Sequence, residues 1–343
     1  MLAKHPTIRT LLLAAACAAG LSAGAAVTAS AARAADKITI MVGGLEKQIY
    51  LPFMLTQRLG HFKEQGLNVE LLTEPSGVDA EDELLAGAVQ GVGGFYDHCV
   101  DLQSKGKFVE SVVQINGSPG EVELVSTKHP EIKSPADFKG MSLGVTGLGS
   151  STNFLTQYLA VKHGIKLGDF TSVPVGAGDT FIAAMQQDKI QAGMTTEPTI
   201  SRLLKTGEAR ILVDLRSNEA TKNALGGNYP ATSLYMDTAW VEKHKDETQK
   251  LVNAIVKTLG WIQTHTAAEI ADAMPKEYLV GDRDGYIAAL EGGKGMYTPD
   301  GIMPEGGPET VLAVLSGFSK NLKGKTIDLS KTFTTEFAKK AKP

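Results

Sequence analysis

The chain has 343 residues, with 34 Lys and Arg against 38 Asp and Glu and a formal net charge of −4. Hydrophobic residues at 43% and charged residues at 21% describe an ordinary globular protein and exclude disordered, collagenous and coiled-coil classes. The slight acidity excludes a nucleic-acid partner drawn by a positive field, and two cysteines are too few for a disulfide framework or a multi-cysteine zinc site.

Residues 1–34 read as a secretory signal peptide. Lys4 and Arg9 precede an apolar, alanine-rich run from Leu11, and no acidic residue appears before Asp36. Ala32-Arg33-Ala34 offers a small-x-small cleavage site, with Ala29-Ser30-Ala31 as a second. The strongly apolar part is shorter than the ~20 residues of a membrane-spanning helix. Lipid anchoring at Cys17 is disfavoured, because Ala14 stands where a lipoprotein leader carries a large aliphatic residue. Cleavage removes Lys4, Arg9, Arg33 and no acid, so the exported chain is more acidic than the whole. It keeps one cysteine, Cys99, which reads as a buried core thiol. The expected location is the periplasm.

After the leader, strand and helix patterns alternate. Strand patterns fall at 37–42, 67–72, 90–95 and 109–115, with helical patterns at 51–59, 79–85 and 98–105 between them. Pro75-Ser76-Gly77 reads as a turn. The pattern restarts with strands at 121–126, 141–145, 171–175, 190–195 and 210–215. Ser134-Pro135-Ala136-Asp137 is a helix start with Pro at its first position, and a long helix follows Gly147–Asn153. A last strand at 231–236 leads into helices at 238–244 and 246–265, loops around short helices at 281–307, and a helix from Pro308 followed by a basic tail. Length and alternation together indicate an α/β protein of about two domains.

Several segments carry a resemblance. Gly60-His61-Phe62-Lys63-Glu64-Gln65-Gly66-Leu67-Asn68-Val69 resembles a segment of the ABC-transporter periplasmic solute-binding proteins of the nitrate/sulfonate/taurine group. So do Asp137-Phe138-Lys139-Gly140 with Gly149-Ser150-Ser151, Lys189-Ile190-Gln191-Ala192-Gly193 running into Glu197-Pro198, Tyr229-Pro230-Ala231-Thr232, and Trp240 with Trp261-Ile262. None is specific alone, but together they follow the family's order across nearly the whole exported chain. The resemblance implies the two-lobed type II periplasmic binding protein fold. Lobe I is expected from 35–124 and 234–343 and lobe II from 125–233, with crossings near 122–126 and 232–236. It also implies a hinge between them and a ligand cleft.

Ligands of open α/β sheets bind beyond the carboxyl ends of strands, which selects a few loops. Tyr50 follows the first strand and reads either as lobe packing or as cleft wall. Phe95, Tyr96 and Asp97 follow the third strand: the aromatics read as packing or cleft wall, and Asp97 as a helix N-cap or a ligand contact. The row Asp97-His98-Cys99 is neither a catalytic triad nor a zinc signature. Ser150, Ser151, Thr152 and Asn153 open a helix after two glycines, where free N–H groups and the helix dipole favour an anion. Glu197 reads either as a capping carboxylate or as an acceptor for a ligand amine or hydroxyl, and Tyr229 as a cap on the pocket.

The expected function is therefore capture of a small anionic solute (sulfonate, nitrate, taurine or aromatic carboxylate) for an ABC permease of the inner membrane. The chain is expected to act as a monomer, without catalysis, cofactor or metal. The rivals are a thiamine-pyrimidine-precursor synthase, whose cysteine-rich motif is missing from this sequence, and a ligand sensor of the same fold.

Overall fold

The computed structural model describes residues 37–279 and 281–341; the leader and Cys17 lie outside the described residues. Among the described residues ten strands build two five-stranded sheets. They are β1 (Lys37–Val42), β2 (Asn68–Thr73), β3 (Gly91–Phe95), β4 (Val109–Gln114), β5 (Glu121–Ser126), β6 (Ser142–Val145), β7 (Thr171–Pro174), β8 (Ala192–Thr196), β9 (Ala209–Asp214) and β10 (Thr232–Asp237). The helices that matter for the site are α1 (Leu51–Arg58), α2 (Gly77–Leu85), α3 (Asp97–Ser104), α4 (Ser151–Lys162), α5 (Thr199–Lys205), α6 (Lys245–Thr264) and α7 (Gly307–Ser316).

The two sheets repeat one plan. The first has the order β2-β1-β3-β10-β4 and the second β7-β6-β8-β5-β9. In each, three strands run parallel and the fourth is antiparallel to both neighbours. The chain leaves the first sheet after β4, builds the second, and returns as β10. Both antiparallel strands therefore follow a crossing, and both begin at the carboxyl ends of the parallel strands.

Local sequence explains the pieces. In β1 only Lys37 is exposed, because the strand is central and covered on both faces. Along α6, Leu251, Ile255, Leu259 and Ile262 recur at helical spacing and are buried. They pack with α1 and the first sheet in a core that includes Ile40, Phe53 and Phe95. The opposite face of that sheet packs Val92, Tyr96 and Cys99 with Val311 and Leu315 of α7 and Leu155 of α4. The second sheet has an apolar cluster on each face. Each fully buried aliphatic or aromatic side chain contributes about 1.5–3 kcal/mol over an exposed one. At the middle of the second sheet a Cβ on Gly193 would stand 2.6 Å from the Gly144 carbonyl oxygen, so these strands come together only as glycines.

One sequence expectation changes. Ser76-Gly77 is a helix start: the Ser76 hydroxyl caps α2 by accepting from the Asp79 N–H. The basic tail packs on the first sheet: Ser111 bridges to Phe333 at the sheet edge, and Phe337 is buried in a last helix, Glu336–Lys340. In β5 the sequence runs Glu-Val-Glu-Leu, an alternation that taken alone suits a strand with one face in water. All six of its residues are buried, because helices and the other lobe cover both faces.

Glu123 is one consequence. It is fully buried, Thr156 Oγ1 of α4 donates to one carboxylate oxygen at 2.7 Å, and the other oxygen has no partner. Burial, opposed by the Thr156 bond, pushes its carboxyl from 4.5 up to about 8. The folded chain thus keeps a proton that the unfolded chain has released, so this group's stabilising share is intact below pH 4.5 and is lost as pH rises towards about 8. Glu123→Gln mimics the protonated form. Its thermal midpoint is expected to gain on that of the wild type progressively from pH 5 to pH 8, and thermal melts across that range check this.

Candidate functional site

The carboxyl ends of the parallel strands in both sheets point at one place. Gly43 follows β1, and a Cβ there would lie 2.9 Å from Gly77 Cα, so the exit of β1 is pressed against the start of α2. From the other sheet, Thr146 and Gly147 follow β6 and lead into α4. The two helix starts touch across the cleft. A Cβ on Gly147 would stand 2.6 Å from Ser76 Oγ, and the Val78 N–H donates to Ser150 Oγ at 3.3 Å. Nearby, the Gln48 N–H donates to the Glu197 carbonyl at 3.1 Å.

Between these parts lies a narrow cavity with about 10 Å³ of free room, lined among others by Lys47, Tyr50, Gly77, Glu121, Ser151 and Thr196. The amides of Gly77, Ser151 and Thr152 stand in first helical turns, where no carbonyl of their own helix reaches them. Two positive helix ends therefore face the space from opposite lobes. Lys47 adds a buried cation. Its Nζ donates to the carbonyls of Gly43, at 2.5 Å, and Pro75, at 2.8 Å. Burial lowers its pKa against the pull of Glu46 and Glu121.

The same region holds buried carboxylates. Asp97 accepts from Ser151 Oγ and from the Tyr229 hydroxyl, both at 2.8 Å. Burial raises its pKa, opposed by His98 and by these two bonds. Glu121 is driven well above the ordinary range by burial and by Asp97. His98 is bonded through Nδ1 to Glu81. Burial works against its cation, but Glu81 together with Asp97 and Asp101 outweighs burial and lifts it to about 9.

The residues singled out from sequence are placed as follows. Tyr50, Ser150, Ser151 and Thr152 line the cavity. Phe95 packs edge-on to Tyr50 behind it. Asp97 is not an N-cap: Tyr96 holds that position, and Asp97 begins α3 with its side chain turned to the other lobe. Tyr229 joins Asp97 and Ser151 in one bonded trio. Asn153 is used locally, accepting from the Gly149 N–H and donating to Ser172. Tyr96 is buried on the far side, bonded to Thr332 and edge-on to Phe333, and is not brought to the cavity. Glu197 accepts from the N–H and hydroxyl of Ser201, both at 2.9 Å, and pairs with Arg216, so its carboxylate is occupied by α5. Sequence reasoning missed Lys47 and Glu121. Lys47 carries no motif, and Glu121 sits in an alternating strand that resembles an exposed one; its place at the crossing was the available signal.

A second groove of about 210 Å³ runs between α5 and the segment around Tyr286. Its charged side chains are already matched, Lys205 with Asp282 and Arg202 with Asp179. The central cavity instead contains buried polar atoms without partners, Glu121 Oε2 and Thr196 Oγ1, and for that reason it is the better candidate.

Two lobes of one sheet plan, meeting at their carboxyl ends over a buried polar cavity, define a periplasmic binding protein fold. The chain belongs to the NMT1/THI5-like family, whose model matches residues 48–268. A Bordetella bronchiseptica RB50 protein of solved structure is 36% identical, with a TM-score of 0.86 over 90% of this chain and 96% of that one. The alkanesulfonate-binding protein SsuA of Xanthomonas axonopodis pv. citri, bound to MOPS, shares the fold at 16% identity and a TM-score of 0.67, covering 88% of this chain and 99% of its own. Among curated relatives, a Bacillus subtilis protein named as a binding protein, YtlA, is 24% identical over 75% of this chain and 76% of its own. The Saccharomyces cerevisiae 4-amino-5-hydroxymethyl-2-methylpyrimidine phosphate synthase THI11 is 25% identical over 66% and 67%. Among the described residues no helix is long and apolar enough to cross a membrane.

The bonded trio gives a direct prediction. Tyr229→Phe removes one of the two donors that hold the buried Asp97 carboxyl, and is expected to lower unfolding stability by about 1–3 kcal/mol. Urea unfolding measures it, and in an Asp97→Asn background the same change is expected to cost less.

Proposed function

We propose that the chain is the solute-capturing component of an ABC importer, that it works in the periplasm after removal of residues 1–34, and that it catalyses nothing. The observation that carries this reading is the meeting of two helix starts from opposite lobes at one buried cavity. The amides of Gly77, Ser151 and Thr152 converge there, and a solute bridging them ties the lobes together. An acidic group suits that position, because the helix ends and Lys47 supply local positive potential in a chain whose net charge is negative. Closure converts occupancy into a shape that an inner-membrane permease can read. The likeness to SsuA supports the architecture, and the sulfonate named for that protein is one candidate class of solute.

The synthase reading, raised by the yeast relatives, meets an obstacle in this chain's own residues. Cys99, the cysteine among the described residues, is wholly buried in the core, and burial pushes its thiol well above the ordinary range. It is placed for packing.

A thermal-shift and calorimetric screen of the purified exported chain against sulfonates, nitrate and aromatic carboxylates is expected to give at least one saturable binder. Gly147→Ala, whose Cβ meets Ser76, is expected to weaken that binder by about tenfold or more, a loss near 1.4 kcal/mol. A screen with no binder contradicts the reading, as does a Gly147→Ala variant that binds normally.

A further inference from the structure

The cavity keeps two buried oxygens that the fold leaves without a partner. Glu121 Oε2 and Thr196 Oγ1 are buried and have no hydrogen-bond partner, and both residues line the cavity. They sit opposite each other in register, Glu121 at the start of β5 and Thr196 at the end of β8. Glu121 is 2% exposed. A buried carboxylate oxygen without a donor is costly, and the surrounding side chains do not relieve it. Lys47, the basic residue of the lining, spends its ammonium on the carbonyls of Gly43 and Pro75. Asp97 stands behind the cavity, and its field bears on Glu121 with the same sign.

A solute made of acceptors alone, such as nitrate or a simple sulfonate, could meet Glu121 only through a proton on the Glu121 carboxyl, since an ionised carboxylate only accepts. A nitrogen carrying hydrogens fits both needs: it donates to Glu121 Oε2, and a cationic one draws the Glu121 and Asp97 carboxyls back towards their charged forms against the effect of burial. We infer that Glu121 is the specificity-determining residue of this site and that the captured solute carries an amino or ammonium nitrogen, which Glu121 accepts, in addition to the acidic group held at the helix starts. The solute class is thus a small amphoteric molecule. The inference rests on the cleft being the solute site, as proposed above.

Isothermal titration with matched pairs of solutes tests it: taurine against ethanesulfonate, β-alanine against propionate, and 4-aminobenzoate against benzoate, with nitrate alongside. The expected result is that binders carry nitrogen and that the partner without it binds at least about 100-fold more weakly, because a site built around a hydrogen bond strongly rejects the analogue that cannot make it. Glu121→Gln is expected to weaken the aminated binder by about tenfold or more while its unfolding midpoint stays near that of the wild type at pH 6. Equal affinity for both members of a pair overturns the inference, and so does an unchanged affinity in Glu121→Gln. Binding of the nitrogen-free members alone overturns it and leaves the binding-protein reading standing. Binding of none of the solutes overturns that reading, and this inference with it.

Discussion

The structure depends on a close approach between two helix starts that belong to different lobes. Gly43 lets the end of β1 lie against Gly77, and Gly147 lets the start of α4 reach Ser76; a methyl group at either place would come within 3 Å of its neighbour. These contacts bring two sets of unpaired N–H groups to one point. Away from a ligand such an arrangement is unfavourable, because like ends of two helix dipoles face each other. A small acidic group placed between them removes the conflict, and that is the physical reason a solute and lobe closure belong together in this chain.

The cavity is nonetheless not a simple anion hole. Its deeper wall is acidic, with Glu121 on β5 and Asp97 at the start of α3, and each is shifted towards its neutral form by burial. His98 is bonded to Glu81 of α2. The site therefore has an amide-rich side and a carboxyl-rich side a few residues apart, and a ligand that satisfies only one leaves the other uncompensated. Asp97 also ties the lobes, because Ser151 donates to it across the cleft while Tyr229 donates from the returning segment.

Much of this was legible in the residues. The alternation of strand and helix pointed to an α/β chain, and the glycine-to-hydroxyl run at 147–153 marked a helix start of the kind that meets ligands. Ser150, Ser151, Thr152 and Tyr50 do reach the cavity. Reading failed where tertiary context overrules local pattern. Asp97 resembles an N-cap because it opens a helix, but its side chain is claimed by partners 54 and 132 residues away, which no local pattern records. Glu121 and Glu123 resemble the wet face of a strand, yet β5 is covered on both faces. Of the two readings of Glu197, the capping one describes its contacts, because the carboxylate is held by Ser201 and Arg216. Tyr96 neighbours the cavity in sequence, but the alternation of side chains about the strand end sends it to the opposite core.

The central claim is the position of the solute. A crystal structure of the protein purified from its native host, with whatever solute it carries through purification, tests this most directly. The account predicts electron density between the amides of Gly77 and Ser151 and the carboxyl of Glu121, with the lobes closed upon it. Density instead in the outer groove beside Lys205 and Tyr286, with the central cavity holding only water, would contradict it.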